Sequence, residues 1–146
     1  MTNIIHKIGI LCSPDEVYKL LTTDKGLSQW WTSTTYGAGG IGSVINFKFN
    51  DVTVLFRVDE LQANKYVKWT HAGDMPDAWA GTEVSFELSS EGKQTYVLFK
   101  HSDWKEQTEF MGHCSTKWAV FLLSLKAAIE TGEGRPHPND THIDHD

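Results

Sequence analysis

The sequence predicts an α+β domain of two layers, with a curved antiparallel sheet of about six strands wrapped around one long C-terminal helix. Three observations lead there. From Gly42 to Asp103 the chain carries β-branched and aromatic runs of period two, separated by turn pairs. An apolar stripe at steps of three and four residues follows, as on one face of a long helix. Two short helical segments separate one N-terminal strand from the others, and elements segregated in this way pack as two layers on one core.

In chain order, Met1 to Cys12 is apolar at intervals and reads as the first strand. Ser13-Pro14-Asp15-Glu16 then starts a helix. It places a capping hydroxyl, a proline at the first helical position and a glutamate three residues after the cap, and its acids suit the positive end of the helix dipole. Val17, Leu20 and Leu21 supply the apolar face. A second short helix is expected from Asp24 through Trp31, weakened by Gly26. Strands are expected at Val44–Phe49, Thr53–Leu61, Tyr66–His71, Thr82–Leu88 and Thr95–His101, with turns at Asn50-Asp51, Ala63-Asn64, Gly73-Asp74 and Glu91-Gly92. In the last helix Met111, Cys114, Trp118, Leu122, Leu125 and Ile129 fall in one narrow stripe, flanked by Phe110 and Phe121. Gly132 and Gly134, with Arg135-Pro136 beyond, end it. Residues 1–132 make a single domain, and 133–146 form a polar tail rich in His and Asp that is expected to be solvated.

A chain of 146 residues has the length of one domain and buries roughly 70% of its extended surface, enough to leave room for an internal cavity. Thirteen basic against nineteen acidic residues leave a net charge of −6 with no concentrated Lys/Arg footprint, so no nucleic-acid partner is expected. The longest apolar run, Trp118 to Leu123, is far short of the roughly 20 residues that span a bilayer, and the N-terminus lacks the features of a signal peptide. A soluble, cytoplasmic protein with no membrane partner is expected, with Cys12 and Cys114 as reduced thiols. The sequon Asn139-Asp140-Thr141 carries no weight in such a compartment. Gly37-Ala38-Gly39-Gly40-Ile41-Gly42 matches the dinucleotide pattern in spelling, but a strand follows it where a helix N-terminus is required, so it reads as a flexible loop.

Ser13-Pro14-Asp15-Glu16-Val17-Tyr18-Lys19-Leu20-Leu21-Thr22, followed by Gly26-Leu27-Ser28-Gln29-Trp30-Trp31, resembles the opening of the Activator of Hsp90 ATPase homologue 1-like (AHSA1-like) family of the START-like, or SRPBCC, superfamily. The paired tryptophans close the second helix in that family. Gly39-Gly40 stands slightly early for its Gly-Gly pair, and Lys68-Trp69-Thr70 displaces its Thr-Trp strand end. Thr82-Glu83-Val84-Ser85-Phe86 and Phe99-Lys100-His101-Ser102 are similar to two further strands, and Trp118, Leu122, Leu125-Lys126 and Glu130-Thr131-Gly132 to its closing segment. The resemblance covers about residues 3 to 132. It implies the helix-grip (START-like, Bet v 1-like) fold with a cavity between sheet and last helix, and little about chemistry, because one fold hosts many functions. A Gly-x-Gly-x-Pro-x-Pro tail like Gly132 to Pro138 recurs in the family, which leaves docking of the tail along the body as an alternative to solvation.

Aromatic residues are in excess, with six Trp, seven Phe and four Tyr, so the candidate site is a cavity lined by aromatic surface with a few polar anchors. Alternation sets Val67, Trp69 and His71 on one strand face and Val97, Phe99 and His101 on another. Trp30, Trp31, Trp69, His71, Phe99, His101 and Trp118 are the expected ligand-binding residues, with core packing as the competing role for each. His71, His101 and His113 lie where they can converge at one end of the cavity, although wheel arithmetic turns His113 from the main stripe. No metal or cofactor is expected, since no ligand spacing supports one; the His/Asp tail, from His137 and Asp140 to His145 and Asp146, would capture transition metals only weakly. No nucleophile motif is present.

The expected function is therefore binding of a small hydrophobic or amphipathic molecule between sheet and last helix. Two alternatives stand beside it: an enzyme of cyclase, dehydratase or hydrolase type in the same cavity, with His71 or His101 as the titrating group, and a protein-interaction module of co-chaperone type. The back of the last helix carries Val120, Leu123 and Ala127, which the tail, a short helix or a second subunit must cover, so a homodimer through that helix is expected.

Overall fold

The alternating runs find their partners in one seven-stranded antiparallel sheet of strand order β1-β7-β6-β5-β4-β3-β2. The computed structural model describes residues 2–144. Its elements are β1 (Thr2–Ile10), α1 (Pro14–Thr22), α2 (Asp24–Ser28), β2 (Thr35–Tyr36), β3 (Val44–Phe49), β4 (Val52–Gln62), β5 (Tyr66–Ala72), a 3₁₀ turn at Asp77–Trp79, β6 (Glu83–Glu91), β7 (Gln94–Trp104) and α3 (Glu109–Glu130). Strands β2 to β7 form a meander, and β1 pairs with β7 through Ile4↔His101 and Ile8↔Val97. Two differences from the predicted elements have local causes. Strand β2 is only two residues long, too short for any period to register. The second helix ends at Ser28, where the ladder tightens into a turn, with the Gln29 amide bonding Gly26 O at 3.1 Å and the Trp30 amide Leu27 O at 3.4 Å.

One face of the sheet is buried, and its period-two residues are those the sequence set there. Register aligns Trp69 with Val84 and Val84 with His101, and Val67 with Phe86 and Phe86 with Phe99. All of these are buried, as are Met111, Cys114, Trp118, Leu122 and Leu125 of α3. Helix α1 starts as its sequence requires, with Glu16 Oε2 accepting the Ser13 amide at 3.2 Å. Helix α3 starts with Thr108 Oγ1 accepting the Met111 amide at 3.2 Å.

A polar string crosses this aromatic interior. His101 is fully buried, and its Nδ1 accepts the Trp118 indole N–H at 3.0 Å. An indole N–H can only donate, so the ring proton of the neutral histidine is on Nε2. It donates to Thr82 Oγ1 at 2.9 Å, and the Thr82 hydroxyl passes its own proton to the Trp79 carbonyl at 2.6 Å. Four groups from α3, β7, the start of β6 and the 3₁₀ turn are thereby joined with every polar atom satisfied. Burial, reinforced by nearby His71, pushes the His101 pKa from its ordinary value of 6.5 down to about 3.

A histidine held neutral in the folded state and free to protonate in the unfolded one makes stability depend on pH. The contribution is complete above pH 6.5 and is lost as the pH falls towards 3, at up to about 1.4 kcal/mol per pH unit. His101→Gln keeps one acceptor for Trp118 and one donor for Thr82 but does not titrate. Chemical denaturation between pH 4 and 6 should therefore show the variant's unfolding free energy falling less steeply with acid, by about one proton. Equal slopes would contradict the assignment.

Candidate functional site

The aromatic interior is not closed everywhere: a pocket of about 300 Å³ lies between the β3–β4 hairpin and the first half of α3. Phe49 ends β3 and lines it, and Val52 and Val54, two apart on β4, share its inner face. Across from them α3 contributes Cys114, Trp118 and Phe121 at steps of four and three residues, with Phe110 and His113 at the mouth. Trp31 forms the floor, its ring 4.8 Å from that of Trp118 and parallel to that of Trp69 at 6.3 Å. Pro76 and Trp79 close one end. The mouth residues Val52 and Phe110 are exposed.

The walls are apolar and the chemistry of the lining is quiet. Burial pushes the Cys114 thiol up to about 11, so it stays protonated. Trp79 is buried, and its Nε1–H is among the few buried side-chain atoms without a hydrogen-bond partner among the described residues. The polar edge is made by Lys117, which pairs with Asp140 Oδ2, and by His137, whose Nδ1 lies 3.7 Å from Asp140 Oδ1. Asp140 is only 7% exposed.

Two of those edge residues come from the C-terminal segment, which corrects its expected solvation. It is a strap docked on the body. Arg135 N donates to Ser124 Oγ at 2.7 Å, His137 N to Trp31 O at 2.7 Å, and Ser33 N to His137 O at 3.0 Å. A β-carbon on Gly134 would lie 2.3 Å from Gln29 O and 2.9 Å from Ser124 O, so only glycine fits the crevice between α2 and α3. His137 stacks obliquely on Phe49 at 5.1 Å. His145 and Asp146 of the tail lie outside the described residues.

Of the seven expected ligand-binding residues, Trp31 and Trp118 line this pocket. Trp30, Trp69 and Phe99 stand behind it in the fully buried layer, Trp30 with its Nε1–H on the Leu20 carbonyl at 2.8 Å. His101 has both nitrogens engaged in the polar string. His71 Nε2 bonds the Met75 carbonyl at 2.9 Å and so ties down the loop after β5. His113, turned from the apolar stripe by wheel arithmetic, reaches the mouth, 3.6 Å from Asp144. Sequence reasoning missed Trp79, Lys117, His137 and Asp140. Only Lys117 carried a usable signal, standing three residues after Cys114 and four before Phe121 on the edge of the stripe. The glycine loop lies away from the pocket, its Ala38 amide held by Asp24 Oδ1 at 2.8 Å. Among the described residues no group of three or more His, Cys, Asp or Glu is placed to hold a metal, and no helix is long and apolar enough to cross a membrane.

Comparison with known proteins supports this architecture. The chain is similar to the Aha1 dimer from Colwellia psychrerythraea, known in solution, at 56% identity and TM-score 0.86 over 92% of this chain and 100% of that one. It shares its fold with protein MLL2253 from Mesorhizobium loti (18% identity, TM-score 0.78, 90% of this chain and 99% of that one). The same holds for CalU16 from Micromonospora echinospora (18% identity, TM-score 0.73, 88% and 74%). No curated protein matches the sequence. The model of one family, described as Activator of Hsp90 ATPase homolog 1-like protein, matches residues 11–130, and with the helix-grip sheet and the long C-terminal helix in place, the chain belongs to that family.

Proposed function

We propose that the protein binds a small hydrophobic or amphipathic molecule in the pocket between the β3–β4 hairpin and α3, and that binding rather than bond-breaking is its task. The observation that carries the reading is the open, aromatic-walled space beside the buried core, with its few polar groups gathered at one edge. That is the usual make-up of a small-molecule site, at the lower end of the size range of about 300–1,000 Å³. Family membership supports a ligand-binding fold in general. In this proposal Trp31 and Trp118 touch the ligand, and Trp30, Trp69, Phe99, His71 and His101 back them. Cys114 is held as a protonated thiol, and His101 has both ring nitrogens in its string. The functional unit is the domain 1–132 with its strap, and two free thiols fit a reducing, cytoplasmic setting.

We also propose a homodimer through the outer face of α3. Leu123 is 57% exposed and Val120 and Ala127 are half-buried beside it. The strap docks at Ser124 and Lys117 and leaves Leu123 uncovered. A protein of 56% identity is described as a dimer in solution.

Native mass spectrometry of protein isolated from its own cells should retain a small molecule, and compounds of one or two aromatic rings should raise the melting temperature. At a hundredfold excess over Kd the gain is about 2.7 kcal/mol, several degrees for a domain of this size. Val52→Trp, which plugs the mouth from an exposed position, should fold and lose the shift. Bare protein that no compound stabilises would sink the proposal. For the dimer, light scattering should report twice the chain mass, and Leu123→Glu should halve it with ligand binding intact. A monomer at high concentration would end that part of the account.

A further inference from the structure

The strap places a carboxylate at the polar edge of the pocket. Lys117 is the one Lys or Arg among the described residues lining the pocket, and Asp140 on the strap holds it. Oδ2 of Asp140 receives Lys117 Nζ and Oδ1 faces His137 Nδ1 at 3.7 Å, so both carboxylate oxygens look towards nitrogen. A nearly buried carboxylate in a cup of nitrogen groups, at the edge of an apolar aromatic space, has the surroundings of a bound organic acid.

We propose that the ligand is a carboxylic acid on a compact apolar or aromatic body, and that Asp140 is a built-in competitor which its carboxylate displaces from Lys117. The inference rests on the pocket being a binding site. Two features carry the exchange. First, the ionic count at Lys117 is the same before and after, so the partly buried ammonium never stands uncompensated. Second, the strap is attached in two ways. Up to His137 it is fixed by main-chain bonds and by the glycine crevice, whereas beyond His137 its hydrogen bonds and ion pairs with α3 among the described residues are the Asp140 and Thr141 contacts of Lys117 and the Asp144–His113 pair. Freeing Asp140 therefore leaves the upstream anchor in place. Displacement couples occupancy to the position of residues 139–144.

The test compares 2-naphthoate with 2-naphthol, which share a ring system and differ in charge, by tryptophan fluorescence and calorimetry on the full chain. Asp140→Asn removes the competitor and should tighten 2-naphthoate about tenfold, as expected when a closed state no longer taxes binding, with 2-naphthol unchanged. Gly134→Ala, which loosens the strap without altering any charge at Lys117, should shift the same ratio in the same direction. It keeps the test valid if the first variant fails to fold. Lys117→Gln should abolish the preference for naphthoate, and hydrogen exchange at residues 139–144 should rise with naphthoate but not with naphthol. An unchanged naphthoate-to-naphthol ratio in both strap variants, or binding of naphthol alone, overturns the carboxylate inference while the pocket stands. Failure of both compounds to bind any variant overturns the pocket and this inference together.

Discussion

Trp118 brings a large indole to the centre of the domain, and its N–H reaches an acceptor there in His101 Nδ1. Around that bond the rest of the interior is arranged. An indole N–H buried without an acceptor costs about 1–3 kcal/mol, so the bond sets where the Trp118 ring lies, and with it the ring contacts to Phe99 at 4.5 Å and Trp31 at 4.8 Å. The same histidine, through Thr82, fixes the carbonyl of Trp79, whose ring stacks on Trp118 at 6.2 Å. Two of the three indoles around the pocket thus take their places from one neutral imidazole. Both ring nitrogens of His101 are engaged in this string, so its burial orders the aromatic interior.

The pocket is what remains when large flat rings are held apart by such constraints instead of collapsing onto one another. Interiors normally pack to crystal-like density, so an opening of about 300 Å³ persists only where the surrounding groups are pinned. Each side has its own pin. The sheet fixes Val52 and Val54 by register with β3, α3 fixes its row by helical spacing, and the strap is fixed by main-chain bonds to Trp31 and Ser33. The strap adds the polar edge that the sheet does not supply on this side. An apolar body and a polar head would then find their surroundings in adjacent parts of one site, with α3 common to both.

Much of the fold was legible because hydrophobic periodicity is local. The α3 stripe and the alternation through β3–β7 were readable from residues such as Trp118, Trp69 and Phe99, each of which is buried on the face its position implied. Strand β2 escaped because Thr35-Tyr36 is too short to show a period. Trp79 escaped because it sits between Gly73 and Gly81, in a stretch whose conformation is set by turns. The strap was misjudged for a deeper reason. Its polar composition announces solvent, yet its docking uses backbone groups of Arg135 and His137 and the missing side chain of Gly134, none of which composition registers. His101 and His71 were set on the correct faces, but whether a buried imidazole meets a ligand or the protein depends on partners far away in sequence.

In the proposed function a ligand enters among Trp31, Trp79 and Trp118 and nowhere else in the aromatic interior. A nitrogen–proton correlation spectrum reports the indole N–H of each of the six tryptophans separately, so a titration with 2-naphthol locates the compound within the protein. Saturable shifts are expected, largest for Trp31, Trp79 and Trp118, with Trp30, bonded to Leu20, and Trp104 nearly unmoved. Small shifts spread over all six and growing without saturation would contradict it.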